Sequence, residues 1–130
     1  MNNKLPKSER LHAEKEIKEL FNEGSSFFLF PIKVQFFVKK QYEDGTPKVL
    51  FSVSKKKIKK AVDRNFIKRR MKEAYRLNKQ LLSPLEVNGL VLGLIYVGSV
   101  KMEFHKIESK ITQILKQLVE KLNSNIPDHE

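Results

Sequence analysis

The stretch KKKIKKAVDRNFIKRRMKEAYR, from Lys55 to Arg76, decides how the rest of this chain is arranged. It holds eleven Lys or Arg residues and two acids, Asp63 and Glu73, which gives a net charge of +9. The complete chain of 130 residues has 26 basic and 15 acidic residues, so the remainder has fifteen bases, thirteen acids and a net charge of +2. A nearly neutral body with one concentrated basic element indicates a polyanionic partner.

The same stretch has the pattern of an amphipathic helix. No Pro or Gly occurs between Lys55 and Leu82, so we expect the helix to run through this region without a break. At about 100° per residue, the apolar residues share one sector that can pack on a sheet. That sector contains Ile67, Met71, Ala74 and Leu81, with Phe66 and Leu77 beside it. The opposite side carries Arg64, Asn65, Lys68, Arg69, Lys72 and Arg76.

A solvated charged face is the usual explanation for a basic run on a helix. Here, two carboxylates cannot neutralise eleven cations, and like charges at neighbouring helical positions repel one another. A neutral polar residue would avoid that cost. The pattern therefore favours a binding role for the basic face over a merely solvated one.

The segments before the basic stretch predict one helix and two strands. Ser8 is a plausible N-cap and Gly24 a plausible stop for a first helix, in which Ala13, Ile17, Leu20 and Phe21 recur at helical spacing. Residues 27–39 predict a single strand, and residues 48–54 predict a second. Within the first, Ile32, Val34, Phe36 and Val38 alternate with Lys33, Gln35, Phe37 and Lys39. A turn at Asp44-Gly45 favours pairing of these two strands as an antiparallel hairpin.

The segments after it predict one strand and one helix. Residues 90–97 are apolar on both faces, as expected for a covered central strand, and Gly93 within them indicates a bulge or a close backbone approach. An apolar stripe from Phe104 to Leu122 predicts a last helix that packs on the sheet. The order αββαβα predicts an α+β single-domain sandwich with a small mixed sheet and helices packed on it. We expect a flexible basic arm at residues 1–7, a domain at 8–123 and a disordered tail at 124–130.

Several classes of function have no support in the sequence. There is no Cys, so no disulfide framework or thiolate metal site is expected. The longest apolar run is too short to span a bilayer, and no secretory signal is visible, which favours a cytoplasmic protein without a membrane partner. His12, His105 and His129 share no spacing, and Asp63 and Glu73 are single acids among cations. We therefore expect no catalytic or metal-binding residues, although Asp63 near a phosphate could share a Mg²⁺ ion.

The central motif carries a family resemblance. Residues 64–69 read RNFIKR, which resembles the RNxIKR signature of the bacterial ribonuclease P protein subunit. FSVSKK at 51–56, KAV at 60–62 and KEAYR at 72–76 follow the family order. Two features depart from it. The link Lys57-Ile58-Lys59 is one residue longer and lacks a Gly, and Ile17 stands where relatives often have an aromatic residue.

The resemblance implies a specific fold and role. It implies a fold similar to ribosomal protein S5 domain 2 and a subunit that assists a catalytic RNA in Mg²⁺-dependent removal of the 5′ leader from precursor tRNA. The implied contacts with the RNA subunit are Lys55, Lys56, Lys60, Arg64, Asn65, Lys68, Arg69, Lys72 and Arg76. The implied leader cleft contains Ile17, Phe21, Lys33 and Phe37. We expect the protein to be monomeric without RNA and not catalytic alone.

Three points stay open at this level. Phe37 can pack under the first helix, against Phe21, or stack on a base, and both roles are compatible. Ile17 stacks less well than an aromatic ring, and we hypothesise that Lys57 and Lys59 compensate through phosphate contacts. The alternatives to the family assignment are a non-catalytic RNA- or DNA-binding protein, of ribosomal or helix-turn-helix type, and a basic amphipathic helix for an anionic membrane or an acidic partner. Against the first, the long basic helix of this chain has no short companion helix of the helix-turn-helix kind beside it. Against the second, the chain has no Trp to serve as an interfacial anchor.

Overall fold

The chain forms three helices and four strands over the part that the computed structural model describes, residues 14–39, 46–85 and 89–124. The helices are α1 (Glu14–Glu23), α2 (Ala61–Asn78) and α3 (Phe104–Ser124), and a 3-10 turn (Lys79–Leu82) extends α2. The strands are β1 (Ser25–Leu29), β2 (Ile32–Val38), β3 (Lys48–Val53) and β4 (Leu90–Tyr96). The α+β class and the small mixed sheet are confirmed. The expected arm, the N-cap at Ser8 and the turn at Asp44-Gly45 lie outside the described residues, as does the tail beyond Ser124.

The single strand predicted for residues 27–39 is wrong, because the chain reverses within it. β1 and β2 pair antiparallel, with Phe27 opposite Val34, and the turn between them contains a cis Phe30-Pro31 peptide bond. Proline has no N–H to donate to a strand ladder, so the run is interrupted there. Residues 27–32 contain no polar side chain, so the polarity pattern does not separate them from the alternating residues 32–39.

The predicted hairpin between the strands on either side of Asp44-Gly45 is also wrong. The sheet order is β1-β2-β4-β3, so β4 lies between β2 and β3. It pairs antiparallel with β2 and parallel with β3. The prediction of a covered central strand is confirmed, since every residue of β4 except Ile95 is buried. A nearby turn signal could not show that a strand from later in the chain would be inserted.

The two faces of the sheet are covered by different helices. One face packs against α2 and α3 and forms the main core, to which the strands contribute Ile32, Val34, Phe36, Val49, Phe51, Val53, Leu90, Leu92, Leu94 and Tyr96. The other face carries the alternate residues, and α1 lies over β2 and β4 there. On that side Leu20 is fully buried and packs with Val91, while Ile17, Phe37 and Leu50 surround the pair.

The basic stretch forms a helix that begins later than its sequence predicts. α2 begins at Ala61, whereas residues 55–57 form a turn. The predicted apolar sector is confirmed for Ile67, Met71 and Ala74, which have no exposed surface. Tyr75 is buried as well, and its ring meets that of Phe51 edge-on with centroids 6.0 Å apart. The predicted stripe of α3 is confirmed by the burial of Ile107, Ile111, Ile114, Leu115, Leu118 and Leu122.

Gly93 makes room for α1 on the sheet. A Cβ atom at this position would lie 2.9 Å from Cδ2 of Leu20 and 3.6 Å from Cβ of Gln35. The close approach that the sequence indicated is therefore made by a side chain of α1. The space above Gly93 is thus a notch that holds the Leu20 side chain, and this contact positions α1 on the sheet.

We predict that Gly93→Ala destabilises the fold by about 1–3 kcal/mol, because the new methyl group overpacks the site beneath Leu20. Leu20→Ala should cost about 2–5 kcal/mol through the cavity that it leaves. The double variant should cost less than the sum of the two, since removing the leucine relieves the clash. Urea unfolding of the three variants measures this. If the losses in free energy of unfolding of the two single variants add in the double variant, Leu20 and Gly93 do not interact as described.

Candidate RNA interface

The loop between β3 and α2 holds a row of exposed lysines around one buried residue. Ile58 is buried in the main core, and its N–H donates to the carbonyl oxygen of Ser54 at 3.0 Å. Nη1 of Arg64 donates to the carbonyl oxygens of Ile58 at 3.0 Å and of Lys59 at 2.8 Å. The loop is thereby fixed from both sides. Its exposed cations are Lys55, Lys56, Lys57, Lys59 and Lys60.

The polar side of α2 continues this basic surface. Asn65 and Arg69 are exposed, and Lys68 and Lys72 are half-buried. Within the described ranges, the side chains of Asn65, Lys68 and Arg69 form no hydrogen bond or ion pair. We use the name basic surface for the exposed loop lysines together with the face of α2 that carries Arg64, Asn65, Lys68, Arg69 and Lys72. The helical spacing predicted these residues of α2 on one face together with Arg76, which instead pairs with Glu73.

Both acids of the stretch are engaged by single cations. Glu73 accepts from Nε of Arg76 at 3.1 Å and from Nη2 at 2.6 Å. The hydrogen bond from Arg76 lowers the pKa of Glu73, and its counterpart raises the pKa of Arg76. Oδ1 of Asp63 lies 3.3 Å from Nζ of Lys101. Arg76 is therefore partly neutralised by Glu73, and within the described residues neither acid forms an ion pair with Lys68 or Arg69.

Two cations that the sequence pattern did not indicate connect α2 to the segment before α3. Nη1 of Arg70 donates to the carbonyl oxygen of Met102 at 2.7 Å. The Arg70 guanidinium also lies 4.0 Å from the ring centroid of Phe66, and Nζ of Lys101 lies 5.2 Å from the same ring. The contacts of Arg70 with Met102 and of Lys101 with Phe66 join distant segments of the chain, so no local spacing could have revealed them, whereas Arg70 and Phe66 are neighbours on α2. Arg70 thus holds the fold together beside the basic surface.

The predicted leader cleft lies on the sheet face that α1 covers. Ile17 and Phe37 both pack on the Leu20–Val91 pair, so the structure brings these two predicted residues together. Phe21 is 45% exposed, and Lys33 is exposed on the same face of β2 as Phe37. Phe37 does pack under α1, as the first of its two proposed roles requires. Its half-buried ring still leaves a surface for a stacked base.

Gln35 lies in the same cleft and was predicted only as a polar strand residue. It is 8% exposed, and its Oε1 has no hydrogen-bond partner among the described residues. Its position between Lys33 and Phe37 on one strand face was readable from the alternation, but its burial under α1 was not.

Other chemical groups do not gather into a site in the part of the chain that the structure describes. Among residues 14–39, 46–85 and 89–124, no group of three His, Asp or Glu residues could hold a metal ion. His105 is exposed, and its ring meets that of the neighbouring Phe104 edge-on. No helix within these ranges is both long enough and apolar enough to cross a bilayer.

The hydroxyl of Tyr96 donates to the carbonyl oxygen of Val100 at 2.5 Å, and burial raises the pKa of this side chain.

A sequence model of the Ribonuclease P family matches residues 5–119 of this chain. The chain belongs to the bacterial ribonuclease P protein component family. The ribonuclease P protein component of Porphyromonas gingivalis is 33% identical over 123 residues, covering 95% of this chain and 89% of the relative. That of Chlorobium phaeobacteroides is 37% identical over 137 residues, covering 95% and 88%.

Solved structures of ribonuclease P proteins have the same fold as this chain. The RNase P protein of Staphylococcus aureus superposes with a TM-score of 0.69 at 24% identity, covering 86% of this chain and 96% of that one. The RNase P protein of Thermotoga maritima gives 0.67 at 24% identity, covering 84% and 96%. Membership of the family makes this chain a subunit of the ribonuclease P holoenzyme, with ribonuclease P RNA as its partner. The ribosomal, helix-turn-helix and membrane alternatives are set aside.

Arg69 and Arg70 are adjacent on α2 but should behave in opposite ways. We predict that Arg70→Ala lowers the free energy of unfolding by about 1.5–3 kcal/mol, because the carbonyl oxygen of Met102 loses a charged donor. Arg69→Ala should leave stability nearly unchanged, since this side chain is exposed and makes no hydrogen bond within the described ranges. Thermal and urea unfolding compare the two. Equal effects on stability would remove the structural role given to Arg70.

Proposed function

We propose that this subunit binds ribonuclease P RNA through the basic surface and the 5′ leader of precursor tRNA through the cleft under α1. The RNA subunit then hydrolyses the bond that releases the leader, with Mg²⁺ held mainly by the RNA and the substrate. The protein positions the two RNAs relative to each other. We propose that it acts in the cytoplasm and is monomeric before RNA is bound.

The basic surface is the observation that carries this proposal. On α2 its cations share one side of the helix, while the side that carries Ile67, Met71 and Ala74 is buried, so the helix fixes the positions from which they project. Phosphates bound along such a row release counterions, which gives an affinity that depends on salt and little on sequence. Contacts of this kind fix position and orientation and do not specify bases. That is the role required of a subunit that docks on a folded RNA.

Arg64 has two functions in this proposal. Its Nη1 is used by the loop carbonyls, whereas Nε and Nη2 make no hydrogen bond within the described ranges. A guanidinium has five N–H donors in a planar fork, so one edge can hold the loop while the other meets a phosphate. Lys57 and Lys59 lie on that loop and are exposed. The hypothesis that they compensate for Ile17 through phosphate contacts stays a prediction.

The cleft under α1 supplies the features that a single strand needs. Phe21 and Phe37 offer ring surface for stacking, and Lys33 offers a cation for a phosphate. Ile17 packs on the Leu20–Val91 pair and provides an aliphatic surface in place of a ring. Bases of any kind can stack on such a surface, so the proposed cleft accepts leaders of different sequence.

The proposed role is tested by mixing the protein with bacterial ribonuclease P RNA and precursor tRNA at low Mg²⁺ and following release of the leader. We expect faster release when protein and RNA are both present, because bound cations reduce the Mg²⁺ needed to bring two polyanions together. The protein without RNA should release nothing. Cleavage by the protein alone would overturn the subunit role, and so would an RNA whose rate is unchanged by the protein.

The basic surface predicts a specific change in salt dependence. Replacing Lys68 and Arg69 with Ala should reduce the slope of log affinity for ribonuclease P RNA against log salt by about 0.7–0.9 for each phosphate that the protein no longer binds. The matched control replaces Lys106 and Lys116, two exposed lysines of α3, with Ala and removes the same charge. Filter binding over a salt series measures both slopes. An equal reduction in the control would show that net charge, and not the face of α2, governs binding.

A further inference from the structure

Two neighbouring aromatic rings at the end of the β1–β2 hairpin are exposed to solvent. Phe28 is 56% exposed and Phe30 is 60% exposed. Their ring centroids lie 6.1 Å apart with an interplanar angle of 66°, so the rings meet edge to face. Exposed apolar groups that cluster in this way mark interaction sites more often than isolated ones do.

The pair lies at the open end of the sheet face that forms the cleft. Phe28 is directly opposite Lys33 in the β1–β2 register, and opposite residues of an antiparallel pair project from the same face. Lys33 is four residues from Phe37 on β2, a distance of about 13 Å along the strand. α1 covers the middle of this face through Leu20 and Gly93. Beyond that cover, Lys33 and the two rings are open to solvent.

The hairpin that carries the rings is anchored to the core. The N–H of Val97 donates to the carbonyl oxygen of Pro31 at 2.8 Å, which ties the turn to the end of β4. Phe27, next to Phe28, points to the opposite face, where its ring meets Phe36 at 6.0 Å between centroids. The exposed rings therefore sit on a fixed support and lose little conformational freedom when a ligand binds.

We propose that Phe28 and Phe30, together with Lys33, form a stacking platform for leader nucleotides that lie upstream of those held in the cleft. This inference rests on the proposed function. Aromatic rings beside a cation are the combination that holds single-stranded nucleic acid without base preference, through stacking and phosphate contact. The platform extends the cleft along β2, so a strand that leaves the cleft past Lys33 reaches the rings next.

Charge selects RNA as the occupant over a second copy of this chain. Lys33 lies on the same face as the rings and forms no ion pair with any residue that the structure describes. The chain carries a net charge of +11, which opposes self-association and attracts a phosphate backbone. A leader strand supplies both the base surfaces and the negative charge that this platform lacks.

The experiment compares precursor tRNAs with leaders of about four and about twelve nucleotides, a range that spans a typical single-strand site. The reconstituted holoenzyme is assayed for substrate affinity and single-turnover cleavage. The test variant carries Phe28→Ala and Phe30→Ala, and the matched control carries Phe28→Tyr and Phe30→Tyr, which keeps both rings. If the alanine pair lowers the melting temperature, the pair Phe28→Leu and Phe30→Leu replaces it.

We expect the alanine pair to bind the long-leader substrate on the order of tenfold more weakly, with no change for the short one. The tyrosine pair should match the wild type on both. Wild-type affinity of the alanine pair for both substrates would overturn the platform, and so would an equal loss on both. A wild-type dimer in sedimentation that the alanine pair abolishes, with leader affinity intact, would assign the rings to self-association and overturn the platform too. A wild-type protein that fails to stimulate cleavage of either substrate would overturn the proposed function as well.

Discussion

Burial of one side of α2 is the interaction on which the rest of the structure depends. Ile67, Met71 and Ala74 have no exposed surface, and burying each large side chain of this kind contributes about 1.5–3 kcal/mol. The helix cannot rotate without bringing these groups into water. Its cations are therefore fixed on the outside, at the spacing of the helix, although they repel one another. Packing energy holds together an array of charge that electrostatics alone would disperse.

Three arginines of the stretch also hold parts of the scaffold in place. Arg64 and Arg70 each donate to backbone carbonyl oxygens outside the helix, Arg64 to the loop before it and Arg70 to the segment before α3. Arg76 is held by Glu73 within the helix. The stretch thus contains cations that organise the scaffold beside cations that face solvent. A lysine could not replace Arg64 on equal terms, because only a guanidinium offers a second donor edge.

The sequence predicted what depends on local pattern. The buried sector of α2, the stripe of α3, the stop of α1 before Gly24 and the covered β4 all follow from spacing and composition, and the motif at residues 64–69 led to the family. The errors concern how strands pair. Pro31 was the signal that could have divided β1 from β2. The contacts of Arg70 with Met102 and of Leu20 with Gly93 join distant segments, and no one-dimensional pattern contains them.

The central place of β4 has a consequence for how the protein is made. β4 follows α2 in the chain, yet it pairs Val38 with Leu90 on one side and Phe51 with Leu94 on the other. While the ribosome is still translating the middle of the message, β2 and β3 have no common neighbour and α2 has no finished sheet beneath it. Pairing across such a separation makes folding slow and late. A nascent chain that ends before β4 carries all eleven cations of the stretch without the scaffold that orders them, so the basic surface is ordered only after the C-terminal third of the chain has been made.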